Sequence, residues 1–205
     1  SLEGNSDSFR MKLSFLPNGN CVILPNINGR GYGFFKITEG ESSGLWSVLR
    51  SSEDEVMKGS LLITLYENLR WKTISPQGFR DEMLAYLPNE SNSLLFSMAL
   101  SYLGDCQRIF PSDSRPLEQA LWKIVTTNPV SQHRLQAFRL YRSIADSEEA
   151  VQRLYTLWQE RKAPKDCTLS ESDYIGLSYI LAMHLPEKAD KIIATQLSRI
   201  QNPDR

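Results

Sequence analysis

One change of rhythm constrains this chain more than any other feature. Up to about residue 45 apolar side chains recur with a period of two, and beyond it they recur every three to four residues to the end. The first period lays apolar groups on one face of a strand, the second on one stripe of a helix. The expected fold is therefore mainly α: a β-strand segment over residues 1–44, followed by a helical array over 45–205.

The strand signals are short. Met11, Leu13 and Phe15 alternate with Lys12 and Ser14, and Asn18-Gly19 supplies the positive φ angles of a tight turn. Cys21 to Leu24 reads as the returning strand, Asn28-Gly29 as another turn, and Gly33 to Ile37 as a third strand closed by Glu39-Gly40-Glu41. Three such strands do not hold as an isolated sheet, so they pack on the helices or complete a sheet begun upstream. Cut from such partners, they leave a bare edge that pairs between copies or an unordered amino terminus.

Eight helical stripes follow. The first carries Val56, Leu61, Leu62, Leu65, Tyr66 and Leu69. Ser75-Pro76 opens the second, with Ser as N-cap and Pro at the first helical position. The third runs through Leu94, Leu95, Met98 and Leu103 to a stop at Gly104. The fourth and fifth centre on Leu121 and Phe138. Asp146-Ser147 caps the sixth, Ser170 and Asp173 form a capping-box-like start to the seventh, and Pro186 begins the eighth. Helix starts recur every ~15–22 residues, so pairs recur every ~35–40, the spacing of HEAT-type repeats. Short connections make neighbours antiparallel. The alternative to an array is a compact bundle.

Composition excludes several kinds of chemistry. With 23 basic and 24 acidic residues, the chain lacks the cationic excess that nucleic-acid binding requires. No apolar run approaches the about 20 residues of a membrane span, and Ser1 to Arg10 lacks the apolar core of a signal peptide. The compartment is undetermined, cytoplasmic or exported. The two histidines, His133 and His184, are too far apart for H-E-x-x-H, and no Cys-x-x-Cys is present. His133 reads as a polar side chain in a first helical turn, and His184 as one facing a helix C-terminus. Cys21, Cys106 and Cys167 read as structural cysteines, each without a His partner in sequence. The acidic runs Glu53-Asp54-Glu55 and Glu148-Glu149 fall at helix starts, where they complement the dipole. Trp46, Trp71, Trp122 and Trp158 read as core or inter-helix anchors. Gly29-Arg30-Gly31-Tyr32-Gly33 leads into a strand, unlike a dinucleotide fingerprint, and reads as a turn allowing close chain approach. No catalytic or metal-binding residue is assigned, and substrate contacts are not identified.

The stretch Val22-Ile23-Leu24-Pro25-Asn26-Ile27-Asn28-Gly29-Arg30-Gly31-Tyr32-Gly33-Phe34-Phe35 resembles the strand that closes the β-sandwich domain of M1 zinc aminopeptidases, the aminopeptidase N-like family. Where many relatives carry Tyr-Arg after the glycine, this chain has Phe35-Lys36. Leu117 to Trp122 and Arg134 to Phe138 are similar to helices of that family's C-terminal domain, and Arg199 to Arg205 to a late segment after which such enzymes continue. The resemblance implies a C-terminal piece: the end of the β-sandwich plus much of the helical domain that encloses the catalytic chamber and restricts peptide access. It implies that zinc, its H-E-x-x-H ligands and the recognition of the substrate's amino group belong to an upstream catalytic domain of the same polypeptide. This region would hold no cofactor, and its partners would be that domain and, in the parent enzyme, the peptide substrate. The competing expectation is a free-standing HEAT-like scaffold binding a partner protein or peptide on one face.

Overall fold

The computed structural model describes residues 2–5, 8–11, 23–27 and 33–200, the first eight as backbone only. Two strands, β1 (Leu2–Asn5) and β2 (Ser8–Met11), pair antiparallel with Leu2 opposite Met11. The expected strand from Met11 therefore meets the described residues only at Met11, and Cys21, Val22 and Asn28 to Tyr32 lie outside them. Residues 34–38, expected as a strand, have no strand partner among the described residues. They run beside a helix and are held there by a side chain, as detailed below.

Nine α-helices follow among the described residues: α1 (Glu39–Ser51), α2 (Glu55–Arg70), α3 (Pro76–Tyr86), α4 (Ser93–Ile109), α5 (Arg115–Thr127), α6 (Ser131–Ile144), α7 (Glu148–Glu160), α8 (Glu171–His184) and α9 (Ala189–Arg199). The first was not expected. Glu39-Gly40-Glu41 looks like the close of a strand, but Thr38 and Glu41 form a reciprocal capping box that starts α1. The helical part thus begins before residue 45. The other starts follow their sequence signals. Ser75 caps α3 with Pro76 behind it, Ser147 caps α7, and Ser170 with Asp173 boxes α8.

Gly104 does not end α4, which continues to Ile109. A Cβ there would come within 2.8 Å of Leu140 Cδ1 on α6. The glycine is a close-approach point between two helices, and that contact offsets its poor helix propensity.

The helices form an array. Consecutive ones pair as α1 with α2, α3 with α4, α5 with α6 and α7 with α8, and α9 closes on α8. The even-numbered helices also pack in series, α2 on α4, α4 on α6, α6 on α8. One layer is thus continuous and the other covers it, as expected of an antiparallel helical array. The core runs between the layers through Leu45, Leu65, Phe96, Leu121, Phe138 and Leu177, all fully buried. Among the described residues no helix is long and apolar enough to cross a membrane.

Candidate functional site

The site is built on α2. That helix is apolar on nearly every side, which marks an element covered from several directions. Leu61, Leu62, Leu65 and Leu69 face the core, while Val56 and Ile63 face outward. Leu94 in the first turn of α4 is 77% exposed, Val56 66% and Trp71 70%. Together they line a groove of about 1230 Å³ along α2, bounded by the first turn of α4 and by Phe34. Phe34 and Trp71 meet with ring centroids 5.6 Å apart. Trp71 therefore departs from the core reading, whereas Trp46 and Trp158 are buried and Trp122 lies between Tyr141 and Arg153. Exposed apolar strips of this size are a feature that interaction surfaces share.

The wall carrying Phe34 is fixed by one amide. Asn68, fully buried on α2, donates from Nδ2 to Phe35 O at 2.8 Å and to Thr64 O at 2.9 Å. Its Oδ1 accepts from Ile37 N at 2.9 Å and from Thr73 Oγ1 at 2.6 Å. All four hydrogen-bonding positions of the amide are used, so its burial carries no desolvation deficit. Ser60 Oγ donates to Asn26 O and fixes the entering chain to the same helix. Gly33 adopts φ +151°, which only glycine takes without strain, and starts the run toward Asn68. An Asn68→Leu variant leaves Ile37 N–H and Phe35 C=O unpaired and should lose about 2 kcal/mol. Hydrogen exchange checks the assignment: the Ile37 amide should lose protection while α6 keeps its own, and unchanged protection at Ile37 would refute the clasp.

At the rim, Glu55, Glu67 and Arg70 supply charge. Tyr66 stacks on Tyr102 at 3.9 Å and donates its hydroxyl to Asp105 at 2.7 Å. Burial, then the Asp105 hydrogen bond, push the Tyr66 hydroxyl up to about 12, so it stays protonated at neutral pH. The groove is thus suited to apolar side chains flanked by charge.

The residues singled out in sequence do not converge. His133 lies in the first turn of α6 as expected, but it is fully buried. Its ring stacks on Phe96 at 4.0 Å, and Nε2 lies 3.0 Å from Ser93 Oγ. Nδ1 is buried without a hydrogen-bond partner. Burial pulls its pKa below the usual histidine value, and the field of Glu90 opposes this weakly. Folding therefore favours the neutral ring, so this contribution to stability is full above about pH 6.5 and is lost as pH falls below it. The melting temperature should drop between about pH 7.5 and 5.5. The slope should flatten in His133→Phe, and an unchanged slope would locate the effect elsewhere.

His184 ends α8, at a helix C-terminus as expected. Cys106 is buried beside Arg80, its thiol pushed up by burial, and Cys167 is half-buried, likewise raised. Cys21 lies outside the described residues. Asp54 caps α2 through Val56 N and Met57 N, and Glu149 pairs with Arg153, so these acidic runs serve helix starts. Among the described residues no three His, Cys, Asp or Glu side chains gather as a metal ion requires. The two histidines, on α6 and α8, do not fit a zinc-ligand set.

Sequence reasoning missed the buried carboxylates of Glu118 and Glu90; for Asp173, read only as part of a capping box, it missed the tie to α6. Glu118 on α5 accepts from Asp146 N at 2.8 Å, Ser147 N at 3.1 Å and Ser147 Oγ, so it anchors the turn that leads into α7 and orients the Ser147 cap. Glu90 accepts from Lys58 Nζ at 3.0 Å, Asn92 N at 2.7 Å and the Tyr86 hydroxyl. Asp173 on α8 accepts from Arg139 Nε at 2.9 Å on α6 and from Ser170 Oγ at 2.7 Å. In each, burial disfavours the charge but the donors outweigh it and hold the carboxyl below its ordinary value. Their oxygens are engaged in hydrogen bonds that join elements of the array.

The fold and groove define a helical-array protein with an exposed apolar groove along α2. Comparisons with protein-family models, with curated proteins and with solved structures found no match to this chain.

Proposed function

We propose that this chain is a non-catalytic helical region of a zinc-dependent aminopeptidase of the M1 type, forming a wall that encloses the catalytic chamber and restricts peptide access. The observation that carries the reading is the joint at Asn68. The residues resembling the end of the family's β-sandwich, Ile23 to Ile27 and Gly33 to Phe35, are the ones keyed onto α2 of the array by Asn68 and Ser60. A wall must move as one body, and the series α2, α4, α6 and α8, with α6 and α8 tied by the Arg139–Asp173 pair, supports that stiffness. In the parent enzyme, zinc, its ligands and peptide-bond hydrolysis belong to the upstream catalytic domain, and this region contributes shape.

The test is the reading frame that encodes Ser1. An in-frame H-E-x-x-H upstream supports the proposal, and a start codon directly before it overturns it. Cleavage of an aminoacyl 4-nitroanilide by this chain alone also overturns it. The second reading, a free-standing scaffold for a partner protein or peptide, is favoured by one observation: Val56, Leu94 and Trp71 stand open along the groove. It predicts the start codon.

A further inference from the structure

A cleft of about 160 Å³ opens between α1 and α3, and it shares no lining residue with the groove along α2. Its lining residues fall between 39 and 82, inside the continuously described run 33–200. Ile74 and Phe79, both buried, form apolar walls, and Glu39 and Glu82 stand nearer the solvent. Trp46 borders the same space. Its ring meets Phe79 edge-on, with centroids 5.5 Å apart, and the residue is only 2% exposed. The indole N–H makes no hydrogen bond among the described residues, yet its nitrogen is not sealed from solvent. The little surface left to Trp46 therefore includes its one polar atom, and the cleft is where that surface opens. A buried tryptophan N–H ordinarily has a partner. This one is aimed into a space where the acceptor comes from outside the chain.

The charge of the cleft is one-sided. Glu39 Oε2 accepts from Ser75 N at 2.6 Å, and Arg50 donates to Glu82 Oε2. Oε1 of each carboxylate is left without a hydrogen bond among the described residues. Glu39 Oε1 lies against Gly78, 3.3 Å from where a Cβ would stand, so the bare glycine keeps room for that oxygen. Among the described residues no lysine or arginine lines the cleft. A guest carboxylate or phosphate would be repelled by the two carboxylates. The acceptor that reaches Trp46 is therefore neutral, and the charge that meets Glu39 and Glu82 is positive. We propose that the cleft binds a small organic ammonium ion carrying a neutral oxygen a few carbons from its nitrogen, an amino alcohol. The oxygen accepts from Trp46 Nε1, the carbons lie on Ile74 and Phe79, and the ammonium meets Glu39 Oε1 in the added field of Glu82. The inference goes beyond the peptidase reading and does not require it.

The probe is propanolamine, titrated into the full chain at constant ionic strength while the Trp46 indole N–H is followed by NMR. Butylamine, with a methyl group in place of the hydroxyl, and hydroxypropionate, with the charge reversed, are the comparisons. Propanolamine should shift the Trp46 resonance saturably and bind about fivefold more tightly than butylamine, the worth of one hydrogen bond to a buried donor. Hydroxypropionate should give no saturable shift. Glu39→Gln keeps an acceptor for Ser75 N and should weaken propanolamine about threefold, while Glu55→Gln, outside the cleft, should leave it unchanged. No saturable shift at Trp46, equal binding of propanolamine and butylamine, saturable binding of the anion, or equal weakening by the two variants would overturn the proposal. The comparison of the three probes needs no variant, so it decides even if a substitution disturbs the fold. None of these outcomes bears on whether an H-E-x-x-H segment lies upstream, so the two proposals fail separately.

Discussion

Asp173→Ala should cost about 4 kcal/mol, because it leaves the guanidiniums of Arg139 and Arg142 without their carboxylate between α6 and α8. Arg142 is the more constrained of the two. Its Nη1 donates to Asp173 O at 3.0 Å, and a Cβ on Gly176 would come within 2.7 Å of the same nitrogen. The bare glycine leaves room for that guanidinium. The pH dependence identifies the cause. Burial pushes the Asp173 carboxyl up, but hydrogen bonds from Arg139 and Ser170 prevail and bring it down from 3.8 to about 2. A carboxylate lowered on folding stabilises above its unfolded value, and that contribution is lost as pH falls through the folded one. The stability gap between wild type and Asp173→Ala, measured by urea unfolding, should therefore be constant above about pH 5 and narrow toward about pH 2. A gap that ignores pH would mean that lost packing, not lost charge pairing, is responsible.

Phe138→Ala should be equally severe, about 4 kcal/mol, for a different reason. Phe138 is fully buried on α6, the helix that packs on α4, α5 and α8. Removing the ring opens a cavity at the crossing of the two layers, where three neighbours are fixed by their own contacts and cannot collapse into it. Because stability in an array passes from neighbour to neighbour, the effect should extend beyond the midpoint. Unfolding should separate into two transitions, the segment before α5 and the segment after α6 melting apart. A loss below about 1 kcal/mol in a single transition would show that α6 is not the keystone of the continuous layer.

Local signals were read well where the physics is local. Ser75-Pro76, Ser147 and the Ser170 with Asp173 pair each begin the helix that follows them, because a cap is satisfied within one turn. The same logic explains the miss at α1. Thr38 and Glu41 make a capping box, but the glycine between acidic residues looked like a turn, and propensity alone does not choose between them. Gly104 misled for the opposite reason. Its role is set by Leu140, on a helix that the sequence does not place beside it.

The groove was not legible. Trp71 and Leu94 carry the same apolar signal as Trp46 and Leu95, yet the first pair stands in solvent and the second in the core. Only the packing of α2 against α4 and the clasp of Asn68 on Phe35 decide which is which.

The order of letters alone settled that this chain is helical after a short leading segment and where most helices start, since both follow from periods and caps spanning three or four residues, and short connections made neighbours antiparallel. The tertiary structure alone decided that His133 is sealed against Phe96, that Glu118 anchors the turn before a helix it does not belong to, and that α2 keeps an apolar side open. Those facts join residues about thirty to forty positions apart, and burial and hydrogen bonding act through space, so no local pattern records them.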